Sequence, residues 1–268
     1  MKTMEWKVLH DTVCEIARSA GRFLREENNH IRNSDIEVKG LHDYVTYVDR
    51  QAEDMIVSEL RKLLPGAGFL AEESTRETGQ ADLLWVIDPL DGTTNYIHHI
   101  PVYAVSIALL ERGRAVLGIV YEVNRDECFS TCLDGPALLN GMEIKVSETT
   151  DLRESLIATG FPYTDHSRLK GYTGILSVLM EEARGIRRLG SAAVDLAYVA
   201  CGRFDGFFEY GLHPWDVAAG AMLVQNAGGR VGNFTGESSY LYGREIVAAN
   251  PHMYPRLQEL TMQHFKVE

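Results

Sequence analysis

The sequence has no surplus of positive charge. Lys and Arg number 26 against 38 Asp and Glu, a formal net charge of −12. A nucleic-acid backbone is therefore not expected as the main partner, because binding one needs a basic face. The same charge would repel a phosphate-bearing ligand, unless clustered carboxylates hold cations that reverse the local field. No window has the length and apolarity of a membrane span, so no membrane partner is expected. The N-terminal Met-Lys-Thr-Met-Glu-Trp-Lys lacks the apolar core of a signal peptide, and a cytoplasmic location is the expectation. Cysteine is sparse: Cys14, Cys128, Cys132 and Cys201, with no CxxC pair. Cys128 and Cys132 stand four apart in a strand-like run and should face one side. A metal or redox role for them stays open beside the ordinary one of small buried apolar residues. There are no internal repeats and no low-complexity tract. What remains is ordinary for a globular chain: 268 residues, 45% apolar and 24% charged, enough for one large domain or two lobes.

Apolar periodicity supplies the elements. Residues 4–28 read as an amphipathic helix carrying Leu9, Val13, Ile16, Ala20 and Phe23/Leu24 at spacings of three and four. The segment 31–45 is polar and reads as a mobile loop. A second helix begins near Thr46 or Tyr47 and stops at Pro65-Gly66, which places Asp49 in its first turn. Phe69-Leu-Ala-Glu-Glu-Ser74 is a short strand ending in adjacent acids, and Leu83–Ile87 is a buried strand that delivers Asp88. Val102–Leu110, Ala115–Tyr121 and Glu127–Cys132 form an antiparallel meander. The polar stretch 147–154 is the candidate boundary between an N-terminal lobe, 1–150, and a C-terminal lobe, 151–268. Beyond it come strands at Ser155–Thr159, Ile186–Leu189, Phe204–Glu209 and Glu245–Ala249. Helices are read at about 167–182, at 192–201 with Ser191 as N-cap, at 215–227 and at 252–264.

The acids fall at telling places. Glu72, Asp88 and Asp91 lie at strand ends or in the turn that follows, and Asp216 and Asp49 lie in first turns of helices. Those are the positions where α/β packings bind ligands. A set of oxygen donors without Cys or His at metal spacing points to a hard cation, Mg2+ before Zn2+. Two or more cations sharing carboxylates suit hydrolysis of a phosphate ester. Gly92 lets the backbone approach closely, and the amides of Gly92–Thr94 open a short helix toward an anion. For His98-His99, surface or supporting roles are favoured, and His213, before Pro214-Trp215, reads as packing. Asp205 reads as a solvated acid of a strand turn.

Three stretches, in order and at matching separation, carry a resemblance. They are Phe69-Leu-Ala-Glu-Glu-Ser74, Trp85-Val-Ile-Asp-Pro-Leu-Asp-Gly-Thr-Thr-Asn95, and Trp215-Asp-Val-Ala-Ala-Gly220 with Ala227-Gly-Gly229. The chain resembles the inositol monophosphatase family, within the lithium-sensitive, magnesium-dependent phosphatase superfamily, over essentially its whole length. The resemblance implies that Glu72 and Asp88, with the carbonyl of Leu90, bind a first Mg2+. Asp88, Asp91 and Asp216 would bind a second, and Glu72 would help with a weaker third. It implies a catalytic set of Asp49, Thr93 and Glu72, in which Thr93 and Asp49 hold and deprotonate the attacking water. The Gly92 and Thr93 amides would grip the phosphate. Asp91, Gly190, Ser191, Ala192, Glu209 and Asp216 would meet substrate hydroxyls. Glu73 is included by resemblance alone. Lys39 matches a loop lysine of the family, though the loop from Lys39 to Asp43 looks a residue shorter here.

The resemblance implies a layered α/β fold, an α+β sandwich of alternating helix and sheet layers, and a homodimer. It implies a small phosphate monoester as the partner molecule. Inositol monophosphate is the first reading. Fructose 1,6-bisphosphate, histidinol phosphate or a 3′-phosphoadenosine nucleotide would need the same chemistry. The turn reads Asp-Gly-Thr-Thr-Asn rather than the Asp-Gly-Thr-Lys-Glu of the nucleotidase branch, and Glu209 matches the inositol-type hydroxyl reader. A regulatory binding role on the same scaffold is the reading from another class.

Overall fold

Leu9, Val13, Ala17, Ala20 and Leu24 fall on one stripe of a helix, and each is 5% exposed or less. The computed structural model, which describes residues 3–32, 36–40, 43–77, 82–163 and 165–265, makes this stripe the inner face of α1 (Thr3–Glu27). Val48, Ala52, Ile56 and Leu60 do the same for α2 (Tyr47–Leu63). Between the two helices lie β1 (Ile36–Gly40) and β2 (Asp43–Thr46), paired antiparallel. The loop expected over 31–45 is therefore in large part a hairpin. Val45 is fully buried and gives β2 an inward anchor that the polarity of its neighbours hides. The side chain of Lys39 lies outside the described residues.

The first sheet holds β3 (Gly68–Ala71), β4 (Arg76–Glu77), β5 (Leu83–Asp91), β6 (Ala104–Glu111), β7 (Arg114–Glu122), β8 (Glu127–Cys132), β9 (Leu138–Leu139) and β10 (Met142–Glu143). Their order is β10-β9-β8-β7-β6-β5-β3-β4, and the expected meander is its centre. Only β3 and β5 run parallel, so both deliver their C-terminal ends to one edge. Helix α3 (Thr93–Ile97) follows β5. The second sheet contains β11 (Leu156–Thr159), β12 (Gly185–Arg187), β13 (Gly206–Tyr210), β14 (Arg230–Gly232) and β15 (Glu245–Ala249), in the order β12-β11-β13-β15-β14. Helices α4 (Leu169–Glu182), α5 (Ala192–Ala200), α6 (Pro214–Asn226), α7 (Tyr240–Gly243) and α8 (Tyr254–His264) complete the described chain.

Strand alternation assembles these parts into layers. Trp85, Ile87, Val105, Ile107 and Leu109 point to α1 and α2. Val86, Ala104, Ala108 and Leu110 point the other way, onto α5 and α6. Ala158, Phe207, Ile246 and Ala248 of the second sheet meet α5 and α6 from the far side. Its outer face packs Ile157, Phe208 and Val247 on Ile175, Leu179, Leu257 and Leu260 of α4 and α8. The order is helices, sheet, helices, sheet, helices, which is the layered α/β architecture expected. Helices α5 and α6 are apolar nearly all round because both faces are covered. Among the described residues no helix is long and apolar enough to cross a membrane.

Candidate active site

Strand β5 does not end at Ile87 as its apolar run predicts. It continues to Asp91, with a register shift: Asp88 pairs with Ser106, and Asp91 with Ala104. Three steps on β5 oppose two on β6, and Pro89, which has no N–H to give to the ladder, lies within the bulge. The bulge frees the backbone of Leu90, whose N–H donates to Asp88 Oδ1 at 2.9 Å. Gly92 then takes φ +104°. A Cβ there would stand 3.1 Å from the carbonyl oxygen of Val102 and 3.3 Å from that of Gly190. Glycine is required on both counts.

Thr93 Oγ1 lies 3.1 Å from the carbonyl of Leu90 and 3.1 Å from Asp49 Oδ1. One hydroxyl hydrogen serves two acceptors, so one of these contacts is open to a further donor such as water. Asp49 is fixed from its other oxygen. Oδ2 accepts Thr46 N at 2.8 Å and Thr46 Oγ1 at 2.6 Å, in the capping box of α2. Burial raises the pKa of Asp49, and the bonds from Thr46 and Thr93 oppose that rise. The helix-cap reading and the catalytic reading of Asp49 thus coexist, one on each oxygen.

Asp88 is buried within electrostatic reach of three other acids, Glu72, Asp91 and Asp216. Burial first, then repulsion from Glu72, Asp91 and Asp216, holds the Asp88 pKa well above the carboxylate range. Asp216 is raised by burial and then by Asp91. Asp91 is pushed up to about 6, by burial, against hydrogen bonds from Ser191 and Ala193 and the charge of Arg188. Crowded buried carboxyl groups relieve their repulsion by holding protons, and a hard cation placed among them would replace those protons. The donor set is oxygen throughout, as such a cation requires. Among the described residues no group of three or more His, Cys, Asp or Glu side chains is arranged, as it stands, to hold a metal ion.

The second half of the chain closes the site. Asp91 Oδ2 accepts Ser191 Oγ at 2.7 Å and Ala193 N at 2.6 Å, which brings Gly190, Ser191 and Ala192 against the β5 turn. Ser191 is the N-cap of α5, as expected, and takes Val194 N. Asn95 Nδ2 donates to Val102 O and to Leu189 O, both at 2.8 Å, and stitches the same junction. Asp216 Oδ2 accepts His213 N at 2.7 Å in the first turn of α6. Glu209, on β13, has its pKa raised to about 8 by burial, against the pull of Arg188. Its carboxylate lies directly over Gly160, where a Cβ would overlap it.

Sequence reasoning missed three residues here. Glu53 is fully buried on α2, and its carboxylate accepts Glu73 N (2.7 Å), Ser74 N and Ser74 Oγ (3.0 Å each) and Thr75 N (2.8 Å). It shapes the turn that presents Glu72. Its signal was an acid beside Ala52 on the inner stripe of α2. Arg188 is the cation felt by Asp91, Glu209 and Asp195, and its guanidinium lies 5.2 Å from the ring centres of Phe161 and Tyr163. Asp195 is buried behind Asp91 and Glu209, and burial and their charges raise its pKa well above the usual range. Asp205 corrects the expectation of a solvated acid. It is 7% exposed and accepts Ser147 Oγ at 2.6 Å and Leu156 N at 2.7 Å. His98 and His99 are exposed, and His213 stacks on Trp215 at 4.7 Å.

Known proteins share this chain's sequence and fold. The model of the inositol monophosphatase family matches residues 5–267. An inositol-1-monophosphatase of Mesorhizobium japonicum is 42% identical over 248 residues, 92% of this chain and 93% of that protein. The Nus factor SuhB of Escherichia coli K12 is 44% identical over 238 residues, 88% of this chain and 89% of its own length. The crystal structure of the extragenic suppressor protein suhB from Bartonella henselae superposes with a TM-score of 0.89 at 41% identity, covering 92% of this chain and 95% of that one.

Proposed function

The chain belongs to the inositol monophosphatase family, and from that premise we propose that it is a Mg2+-dependent phosphomonoesterase that hydrolyses myo-inositol monophosphate to inositol and phosphate. The observation that carries the reading is the crowding of buried Asp88 by the charges of Glu72, Asp91 and Asp216 in one acidic group. In this reading Glu72, Asp88, Asp91, Asp216 and the Leu90 carbonyl hold two or three Mg2+ ions, which supply Lewis acidity and counter-charge for the phosphate. Thr93 orients the water and Asp49 takes its proton. Their 3.1 Å contact puts both within reach of one water molecule. The Gly92 and Thr93 amides receive phosphate oxygens. Residues 1–150 thus furnish most metal ligands, and 151–268 furnish Asp216 and the hydroxyl contacts at Gly190, Ser191, Ala192 and Glu209. A homodimer and a cytoplasmic location go with the reading as family expectations.

A panel of phosphate esters assayed with Mg2+ tests it. Release from myo-inositol 1-phosphate should be the fastest and should be inhibited by lithium. Fast turnover of fructose 1,6-bisphosphate, histidinol phosphate or a 3′-phosphoadenosine nucleotide, with inositol phosphates inert, would remove the inositol reading and keep the chemistry.

The hydroxyl-reading role of Glu209 has its own test. Gly160→Ala should force the Glu209 carboxylate off its seat without touching the metal ligands. KM for inositol 1-phosphate should rise roughly tenfold, the scale of one lost substrate contact, with kcat and melting temperature close to wild type. An unchanged KM would take Glu209 out of substrate binding.

The relatives named Nus factor support a second reading, a non-catalytic regulatory role alongside the enzymatic one. If both roles exist, an inactive Asp88→Asn protein should still capture its partners in a pull-down from cell extract. Loss of capture together with activity would tie any such role to the acidic site.

A further inference from the structure

Arg76 opens β4, four places after Glu72, and pairs with Leu70 of β3. The turn between the two strands is closed by Ala71 N, which donates to Thr75 O at 2.9 Å, and by the bonds to Glu53. Glu77, the next residue, forms a two-pronged pair with Arg61 of α2, both bonds 3.0 Å. Arg76 does otherwise. It is exposed, its side chain makes no hydrogen bond or ion pair among the described residues, and its guanidinium lies 5.7 Å from the ring centre of Trp215 on α6. Trp215 is 9% exposed and is held in place. Its carbonyl accepts Ser106 Oγ of β6 at 3.1 Å, and its indole is stacked on the His213 ring, with centres 4.7 Å and planes 8° apart. Asp216 is the next residue.

We propose that Arg76 is a positioning residue: seated on Trp215, it clasps the Glu72 turn to the N-terminus of α6 and so sets the spacing of the two segments that bring Glu72 and Asp216 to a divalent cation. The inference rests on the Mg2+ reading above. Glu72 and Asp216 come from opposite halves of the chain, and both add charge around Asp88. Without a cation, segments that carry like charge to one place push apart. The contact of Arg76 with Trp215 joins the same two segments just outside the site, and it does so without drawing on any of the acids.

A clasp and a plain charge effect have opposite signs. A guanidinium near a cation site repels the cation, so by charge alone its removal should tighten Mg2+ binding. A clasp holds the ligand segments at their working distance before the ion arrives, so its removal should weaken binding, because ordering them is then charged to the ion.

Calorimetric titration of the full-length protein with MgCl2, without substrate, reads that sign. In Arg76→Gln the Mg2+ dissociation constant should rise about two- to fivefold, the equivalent of one exposed cation–π contact, with a metal-free melting temperature close to wild type. Arg76→Lys, which keeps a cation but not the planar fork, should fall between the two. Trp215→Leu should weaken Mg2+ binding as well, and adding Arg76→Gln to it should cost nothing further, because the contact is already gone. A dissociation constant for Arg76→Gln equal to or below that of wild type, or a fully additive loss in the double variant, would overturn the clasp and leave the Mg2+ reading standing. Wild-type protein that takes up no Mg2+ would remove that reading and the clasp with it. The Arg76 variants decide the sign even if Trp215→Leu does not fold.

Discussion

Asp88→Asn should lower Mg2+-dependent phosphate release by about 10^3-fold or more, a loss of roughly 4 kcal/mol of transition-state stabilisation. In metal-free buffer the same variant should melt at or above the wild-type temperature. The two halves of this result have one cause. In the metal-free chain Asp88 is buried among Glu72, Asp91 and Asp216, and its charge is opposed by all of them. An asparagine keeps an oxygen for Leu90 N and gains an amide that can donate to Glu72 and Asp216, so repulsion falls and no hydrogen bond need be lost. What disappears is the charge that makes the site a cation trap. Mg2+ should therefore stabilise the wild type, by about 2.7 kcal/mol at one hundred times its dissociation constant, and stabilise the variant hardly at all. Asp216→Asn should behave alike, since its oxygen can still accept His213 N. Activity within tenfold of wild type, or an undiminished Mg2+-induced shift in melting temperature, would remove the acids from the metal site. Collapse of both variants would make them structural.

Glu53→Ala should cost about 3–5 kcal/mol in unfolding free energy, a large part of the 5–15 kcal/mol that holds a typical domain together. The carboxylate accepts four hydrogen bonds, three of them from the backbone N–H groups of Glu73, Ser74 and Thr75. Removing it strands these donors at a buried position, and each unmet donor carries its full desolvation cost. On the scale of roughly 2–4 °C per kcal/mol for a chain of this size, the midpoint should fall by about 10 °C. Glu53→Gln should lose less, because one oxygen remains, though its amide hydrogens oppose the N–H groups they face. Both variants should need more Mg2+ for half-maximal activity, because Glu72 precedes the released turn. Urea denaturation and Mg2+ titration measure the two effects. A Glu53→Ala protein within 1 kcal/mol of wild type would show that the turn holds itself.

How much was readable beforehand follows the range of each interaction. The α1 and α2 stripes, the meander from β6 to β8 and the Ser191 cap are local, and periodicity or a single capping residue exposes them. The β1–β2 hairpin was not legible, since its one deeply buried apolar residue among those described, Val45, sits in a polar stretch. The β5 bulge escaped notice because an apolar run marks where a strand is buried, not where its pairing slips. Glu72, Asp88, Asp91 and Asp216 could be picked out by position, and the structure brings them together. Glu53 and Asp205 could not. A buried acid looks like a surface acid until the backbone amides it receives are folded around it. Arg188 was hidden for the same reason, because its partners Phe161, Glu209 and Asp91 come from three other segments.

The sequence by itself determined the layered α/β class, the family and the short list of acids, because apolar period and motif order are properties of the chain alone. Tertiary structure decided which acids crowd Asp88, and which oxygen of Asp49 caps a helix and which faces Thr93. Those depend on through-space contacts of about 3 Å between segments far apart in the chain, as for Asp91 and Ala193, 102 residues apart, and only packing of the layers sets them.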